Sequence, residues 1–110
     1  MVQGVLVDNQ KETIWVPFSE LLYIQTTENS HKLKVVALKN SYYIYSSLDK
    51  LEVEYPALIR CHRTTLVNPK AIKGIDKKKR EVQFFENPKE TCNISRRVYQ
   101  NMRLFWLEYS

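Results

Sequence analysis

Short runs of branched and aromatic residues, each closed by a turn cluster, recur along most of this chain. The runs at 4–7, 11–16, 22–26, 32–38, 42–45, 70–75, 80–85 and 90–94 have strand composition. Lys32-Leu33-Lys34-Val35 alternates with period two, the pattern of a half-buried strand. Asp8-Asn9-Gln10, Asp76-Lys77-Lys78-Lys79 and Glu86-Asn87-Pro88-Lys89 supply the turns between runs. A chain punctuated this often cannot be a helical bundle. The expected fold is mostly β: short-stranded, layered sheets with small helices and a C-terminal α-helix.

Three helical segments interrupt the strands. Pro17 suits the first position of a single turn reaching Leu21. Ser46 or Ser47 can cap a short helix that places Leu48, Leu51 and Tyr55 on one face and stops at Pro56. Ser95 is the expected N-cap of the last helix, whose apolar face is Val98, Met102, Phe105, Trp106 and Tyr109. Trp106 and Tyr109 fit either the core or a dimer interface. The length of 110 residues suits one domain spanning 1–110. No apolar run approaches the roughly 20 residues of a membrane-crossing helix, and Met1-Val2-Gln3-Gly4 lacks the basic start of a signal peptide. A cytoplasmic protein without a membrane partner is expected.

Seventeen Lys and Arg against twelve Asp and Glu give a net charge of +5, which favours polyanionic partners. The densest chemistry is Arg60-Cys61-His62-Arg63-Thr64-Thr65-Leu66-Val67-Asn68-Pro69. A strand serving only the core does not need Arg60, His62 and Arg63 so close together. A Cys61–His62 catalytic pair is disfavoured, because adjacent residues in an extended chain point to opposite faces. With two glycines there is no phosphate-cradling loop, and the carboxylates are scattered, so no enzyme activity is expected. His31, Cys61, His62 and Cys92 lack the close spacing of a zinc module, so neither metal nor other cofactor is expected. Arg96 and Arg97 in the first turn of the last helix oppose its macrodipole, a conflict that a docked anion would resolve. Lys77-Lys78-Lys79-Arg80 reads as a solvated hairpin tip or as a phosphate contact.

The Arg60–Asn68 stretch resembles the R-x-H-R-S/T-x-x-V-N signature of the LytTR family of bacterial DNA-binding domains. The resemblance extends to the segment 17–25, the Asn29/His31 loop, the Tyr43 hairpin, the Ser47-Leu48-Asp49-Lys50-Leu51-Glu52 helix and Ser95-Arg96-Arg97. Ser30-His31-Lys32, Arg60-Cys61-His62 and Cys92…Ser95…Arg97 look most like the accessory-gene-regulator type, whose members are response regulators in quorum sensing. That resemblance implies sequence-specific binding of double-stranded DNA by loops that enter successive major grooves. It puts His31, Arg63 and Arg97 on base edges, although the accessory-gene-regulator type has a shorter polar residue at the place of Arg63. It puts Lys32, Thr64, Asn93, Ser95 and Arg96 on phosphates, with His62 and Asn68 mainly structural. It also implies a receiver domain in the full-length protein, and paired copies, a homodimer on DNA, over direct promoter repeats. Cys61 and Cys92 flank the DNA-facing loops and form a candidate redox pair. Two other readings stay open: a basic β-domain binding RNA or single strands through Tyr42, Tyr43 and Tyr45, and a protein–protein interaction module.

Overall fold

The computed structural model describes residues 3–109, with the side chain of Tyr109 outside that description. Short runs of β-branched and aromatic residues generate the first hairpin, β1 (Gly4–Asp8) and β2 (Thr13–Pro17). Val5, Val7 and Val16 turn inward, while Leu6 and Trp15, paired across the strands, stay half exposed. Asn9 closes the turn by accepting the Lys11 and Glu12 N–H groups on Oδ1, both at 2.9 Å. Gly4 is required by space: a Cβ there would lie 2.5 Å from the Val16 carbonyl oxygen and 2.8 Å from the Trp15 ring.

The central sheet has five antiparallel strands: β3 (Leu21–Thr26), β4 (Lys32–Ala37), β5 (Ser41–Tyr45), β6 (Ile59–His62) and β7 (Thr65–Val67), in the order β5-β4-β3-β7-β6. Helix α1 (Leu48–Glu54) connects β5 to β6 and is capped by Ser47, whose hydroxyl accepts the Lys50 N–H. A second, three-stranded sheet holds β8 (Ile72–Asp76), β9 (Glu81–Phe84) and β10 (Thr91–Asn93), in the order β10-β9-β8. Helix α2 (Tyr99–Tyr109) ends the chain.

Both faces of the central sheet are buried. On β4, Leu33, Val35 and Ala37 join a first core with the β1–β2 hairpin and Leu48 and Leu51 of α1, while Val36 faces the other way. The second core joins Leu22, Tyr23, Val36, Cys61 and Val67 to Ile72, Val82, Phe84 and Cys92 of the three-stranded sheet and Met102 of α2. A register shift between Leu21 and Tyr23 lets the neighbours Leu22 and Tyr23 both serve that second core. The mostly β, layered architecture expected from the sequence is what the chain adopts.

Three local expectations change. Pro17 ends β2 instead of opening a helical turn. Residues 18–20 form a turn closed by Glu20 N–H to the Pro17 carbonyl (2.9 Å), because Leu21 is already needed as a buried strand residue opposite Ala37. Ser95 does not cap α2. Its N–H is taken by the Cys61 carbonyl (2.9 Å), so the chain stays near β6 and the helix starts four residues later. Arg96 and Arg97 therefore sit in a turn ahead of the helix, not in its first turn, and the macrodipole conflict is milder than expected. Trp106 packs against the second core, whereas Leu104 and Leu107 of the same helix are exposed; the role expected of Tyr109 lies outside the described residues.

Candidate nucleic-acid interface

Four connections converge at one end of the layers, and backbone hydrogen bonds lace them together. Thr26 N–H donates to the Thr64 carbonyl (2.9 Å), joining the end of β3, where the β3–β4 loop begins, to the β6–β7 turn. Ser95 N–H donates to Cys61 (2.9 Å), joining the β10–α2 connection to β6. Its neighbour Ile94 donates to Arg80 (2.8 Å), joining the same connection to the β8–β9 tip. Such lacing fixes the loops relative to one another, which surface loops otherwise lack.

The β6–β7 turn, residues 63 and 64, is braced by Arg60. Its Nε donates to the His62 carbonyl (3.1 Å) and one terminal nitrogen to the Arg63 carbonyl (2.7 Å). The other terminal nitrogen meets Asp49 (3.0 Å) and Glu52 (2.9 Å) on α1. The planar fork satisfies all four acceptors at once, a geometry that lysine cannot reproduce. His62 adds a second brace. Thr64 N–H donates to Nδ1 (3.2 Å), which assigns the ring proton of a neutral His62 to Nε2 and leaves Nε2–H as a donor. The Thr64 hydroxyl is already engaged with that ring (2.8 Å) and with the Thr65 hydroxyl (3.2 Å).

Arg63 stands exposed at the tip of this braced turn, and Arg97 is exposed on the connection bonded to β6. The two arginines line one recess of about 540 Å³ with Arg60, His62, Ser95 and Val98. Among the described residues, the only ion pairs are those of Arg60 with Asp49 and Glu52, so Arg63, Arg96 and Arg97 carry uncompensated charge. Paired guanidinium groups beside a hydroxyl and an imidazole N–H can donate to phosphate oxygens or to guanine O6 and N7.

The other expected contacts lie outside this recess. His31 is exposed in the β3–β4 loop and lines a separate hollow with Tyr45, Ser46, Ser47 and Lys50; its carbonyl accepts the Ser46 N–H (3.0 Å). Lys32 holds its ammonium over the Tyr43 ring, 4.4 Å from the centroid. Tyr43 and Tyr45 are exposed on β5, while Tyr42 packs against the first core. Asn93 is exposed at the end of β10 and its carbonyl lies 3.5 Å from the Cys61 sulfur; Arg96 is exposed on the following turn.

Both cysteines are free thiols buried in the second core. Burial pushes Cys61 up to about 12. Burial also pushes Cys92 up, with the nearby Cys61 and the Glu90 carboxylate adding to the shift. The thiolate, which is the reactive form, is thus suppressed, and oxidation of either sulfur would require the core to open. Among the described residues, no cluster of three or more His, Cys, Asp and Glu is arranged to hold a metal, and no helix is long and apolar enough to cross a membrane. Asn68, expected to be structural, is buried: its amide donates to the Phe18 (2.8 Å) and Leu21 (2.9 Å) carbonyls and its oxygen caps Lys70.

The role of Arg60 as a brace was the residue function that sequence reasoning missed. The available signal was the Asp49/Glu52 pair, three residues apart on one helical face and ready for a cation.

A layered β-domain with a laced, arginine-bearing loop edge is the class defined by this fold and site. The profile of the LytTr DNA-binding domain family matches residues 11–106, and the chain belongs to that family. It is 27% identical over 94 residues to the accessory gene regulator protein A of Staphylococcus aureus strains N315 and MW2, a match that covers 86% of this chain and 39% of theirs. The chain thus spans well under half the length of these relatives. Among solved structures, it is similar to the LytTr DNA-binding domain of a Bacillus cereus protein described as a methyl-accepting/DNA response regulator. That similarity has a TM-score of 0.70 and 26% identity, covering 94% of this chain and 95% of the other.

Proposed function

We propose that this chain is the output domain of a two-component response regulator and binds double-stranded DNA sequence-specifically. The observation that carries the reading is the pair Arg63 and Arg97, uncompensated and held across one recess by a turn and a connection that the backbone locks together. In this reading loops, not a helix, enter successive major grooves. His31, Arg63 and Arg97 reach base edges, and Lys32, Asn93, Ser95 and Arg96 reach phosphates. Thr64 must trade its bond to His62 or Thr65 to do the same, so His62 Nε2–H is the readier donor at that place. A receiver domain elsewhere in the full-length protein would bring two copies onto direct promoter repeats, making a homodimer on DNA.

Selection of sites from a random duplex library at near-physiological salt tests this. Enrichment of a short motif is expected. Binding without enrichment, vanishing as salt rises, would reduce the domain to a general polyanion binder. In that event the exposed Tyr43 and Tyr45 make single-stranded RNA the next ligand to try.

A further inference from the structure

We propose that Arg80 is a further ligand of the DNA backbone, gripping a phosphate on the flank of the Arg63–Arg97 recess; this rests on the duplex-binding reading above. Three observations meet at this residue. First, Arg80 has φ +50°, the only positive φ at a non-glycine residue among those described. It ends the four-residue connection between the paired Asp76 and Glu81, a tip whose start is set by Asp76 Oδ1 accepting the Lys78 and Lys79 N–H groups. Glycine or asparagine fills a left-handed position of this kind with least strain. The turn therefore gives no reason for arginine.

Second, Arg80 Nε is buried without a hydrogen-bond partner, the only such side-chain nitrogen or oxygen among the described residues. A structural arginine would meet its acceptors, as Arg60 does with four. Hydrogen bonding within the fold therefore gives no reason for arginine either, and an unmet guanidinium N–H calls for an explanation. Third, the Arg80 carbonyl accepts the Ile94 N–H, so this residue is fixed to the segment that carries Asn93, Ser95 and Arg97. Lys77, Lys78 and Lys79 are exposed beside it.

A misfit in local conformation, an unmet donor and a place beside the DNA-facing loops share one resolution: the acceptor arrives with the ligand. A phosphodiester supplies two oxygens that match the guanidinium fork. A turn of the side chain on binding would exchange the unmet N–H for a bond to phosphate.

The test uses the whole chain, as wild type, Arg80→Gly and Arg80→Lys, with the duplex that the wild type selects and a scrambled one. Duplex binding is titrated across salt, and thermal melting is recorded. Arg80→Gly is expected to melt higher, since glycine accepts the left-handed conformation and removes the buried N–H. It is also expected to bind both duplexes more weakly by a similar factor, with the slope of log K against log salt shallower by about 0.9. Arg80→Lys keeps the slope. An unchanged slope and affinity in Arg80→Gly, with the wild type still preferring its site, would overturn the Arg80 proposal alone. A lower melting temperature that accounts for the lost binding would overturn it too, by making Arg80 structural. Failure of the wild type to bind duplex would overturn the DNA reading and this proposal together.

Discussion

Replacing Arg60 with alanine removes a brace, not a DNA contact, and its cost can be worked from four bonds. The bonds to the His62 and Arg63 carbonyls come from a charged donor on a side chain only 25% exposed. Each is worth about 1 kcal/mol after solvent is allowed for. The carboxylate contacts add little, because Asp49 is 91% exposed and Glu52 46%; together they are worth about 0.5 kcal/mol. Arg60→Ala should therefore destabilise the domain by about 2–3 kcal/mol, read as a lower urea midpoint at unchanged slope. Asp49→Asn with Glu52→Gln should cost under about 1 kcal/mol. At temperatures where both variants remain folded, Arg60→Ala should still bind duplex more weakly, since Arg63 loses its fixed turn. If removing the two carboxylates costs as much as removing Arg60, the ion pairs and not the carbonyl bonds hold the turn, and this reasoning fails. A cost below about 0.5 kcal/mol for Arg60→Ala would refute the brace altogether.

Asn68→Asp keeps the shape but turns two donated bonds into an oxygen facing the Phe18 and Leu21 carbonyls; a loss of about 3–5 kcal/mol is expected by urea denaturation at neutral pH. That aspartate would have its folded pKa raised above the unfolded value, so the deficit should shrink as pH falls and the carboxyl regains a proton to donate. The thiol of Cys61 ionises near 9 when unfolded and is pushed up to about 12 by burial in the fold. Its contribution to stability is then complete below about pH 9 and is lost as pH rises toward 12, so Cys61→Ala should flatten the alkaline fall in melting temperature. Alkylation of either cysteine at pH 7 should be slow in the native protein and fast in urea; rapid native labelling would contradict the burial of both thiols.

The strands outside the Arg60–Asn68 stretch, a serine cap for α1 and the hairpin turns are legible because each is decided within a few residues; β6 and β7, whose residues stand out for their charge and hydroxyls, are not. Asn9 and Asp76 close their turns with bonds to backbone two or three positions on. Ser95 departs from its local signal for the opposite reason. Its sequence says N-cap, but a bond to Cys61, remote in the chain, settles its conformation. Arg60 and Arg63 look alike in sequence, three residues apart. Only the fold shows that one is spent on Asp49, Glu52 and two carbonyls while the other is free. The meeting of Arg63 with Arg97 is likewise a tertiary fact, since it depends on β10 and β6 ending beside each other. Nor could sequence separate Arg80 from the lysines before it, as a backbone angle and a buried nitrogen mark it out.

Base reading by Arg97 is the central claim, and one titration reaches it directly: wild type and Arg97→Ala against the selected duplex, each of its single-base-pair variants and a scrambled duplex. A loss of about 1–3 kcal/mol on the selected site, a flattened preference at one base pair and an unchanged melting temperature are expected. An equal loss on scrambled DNA, with every base preference intact, would contradict it and leave Arg97 a phosphate contact.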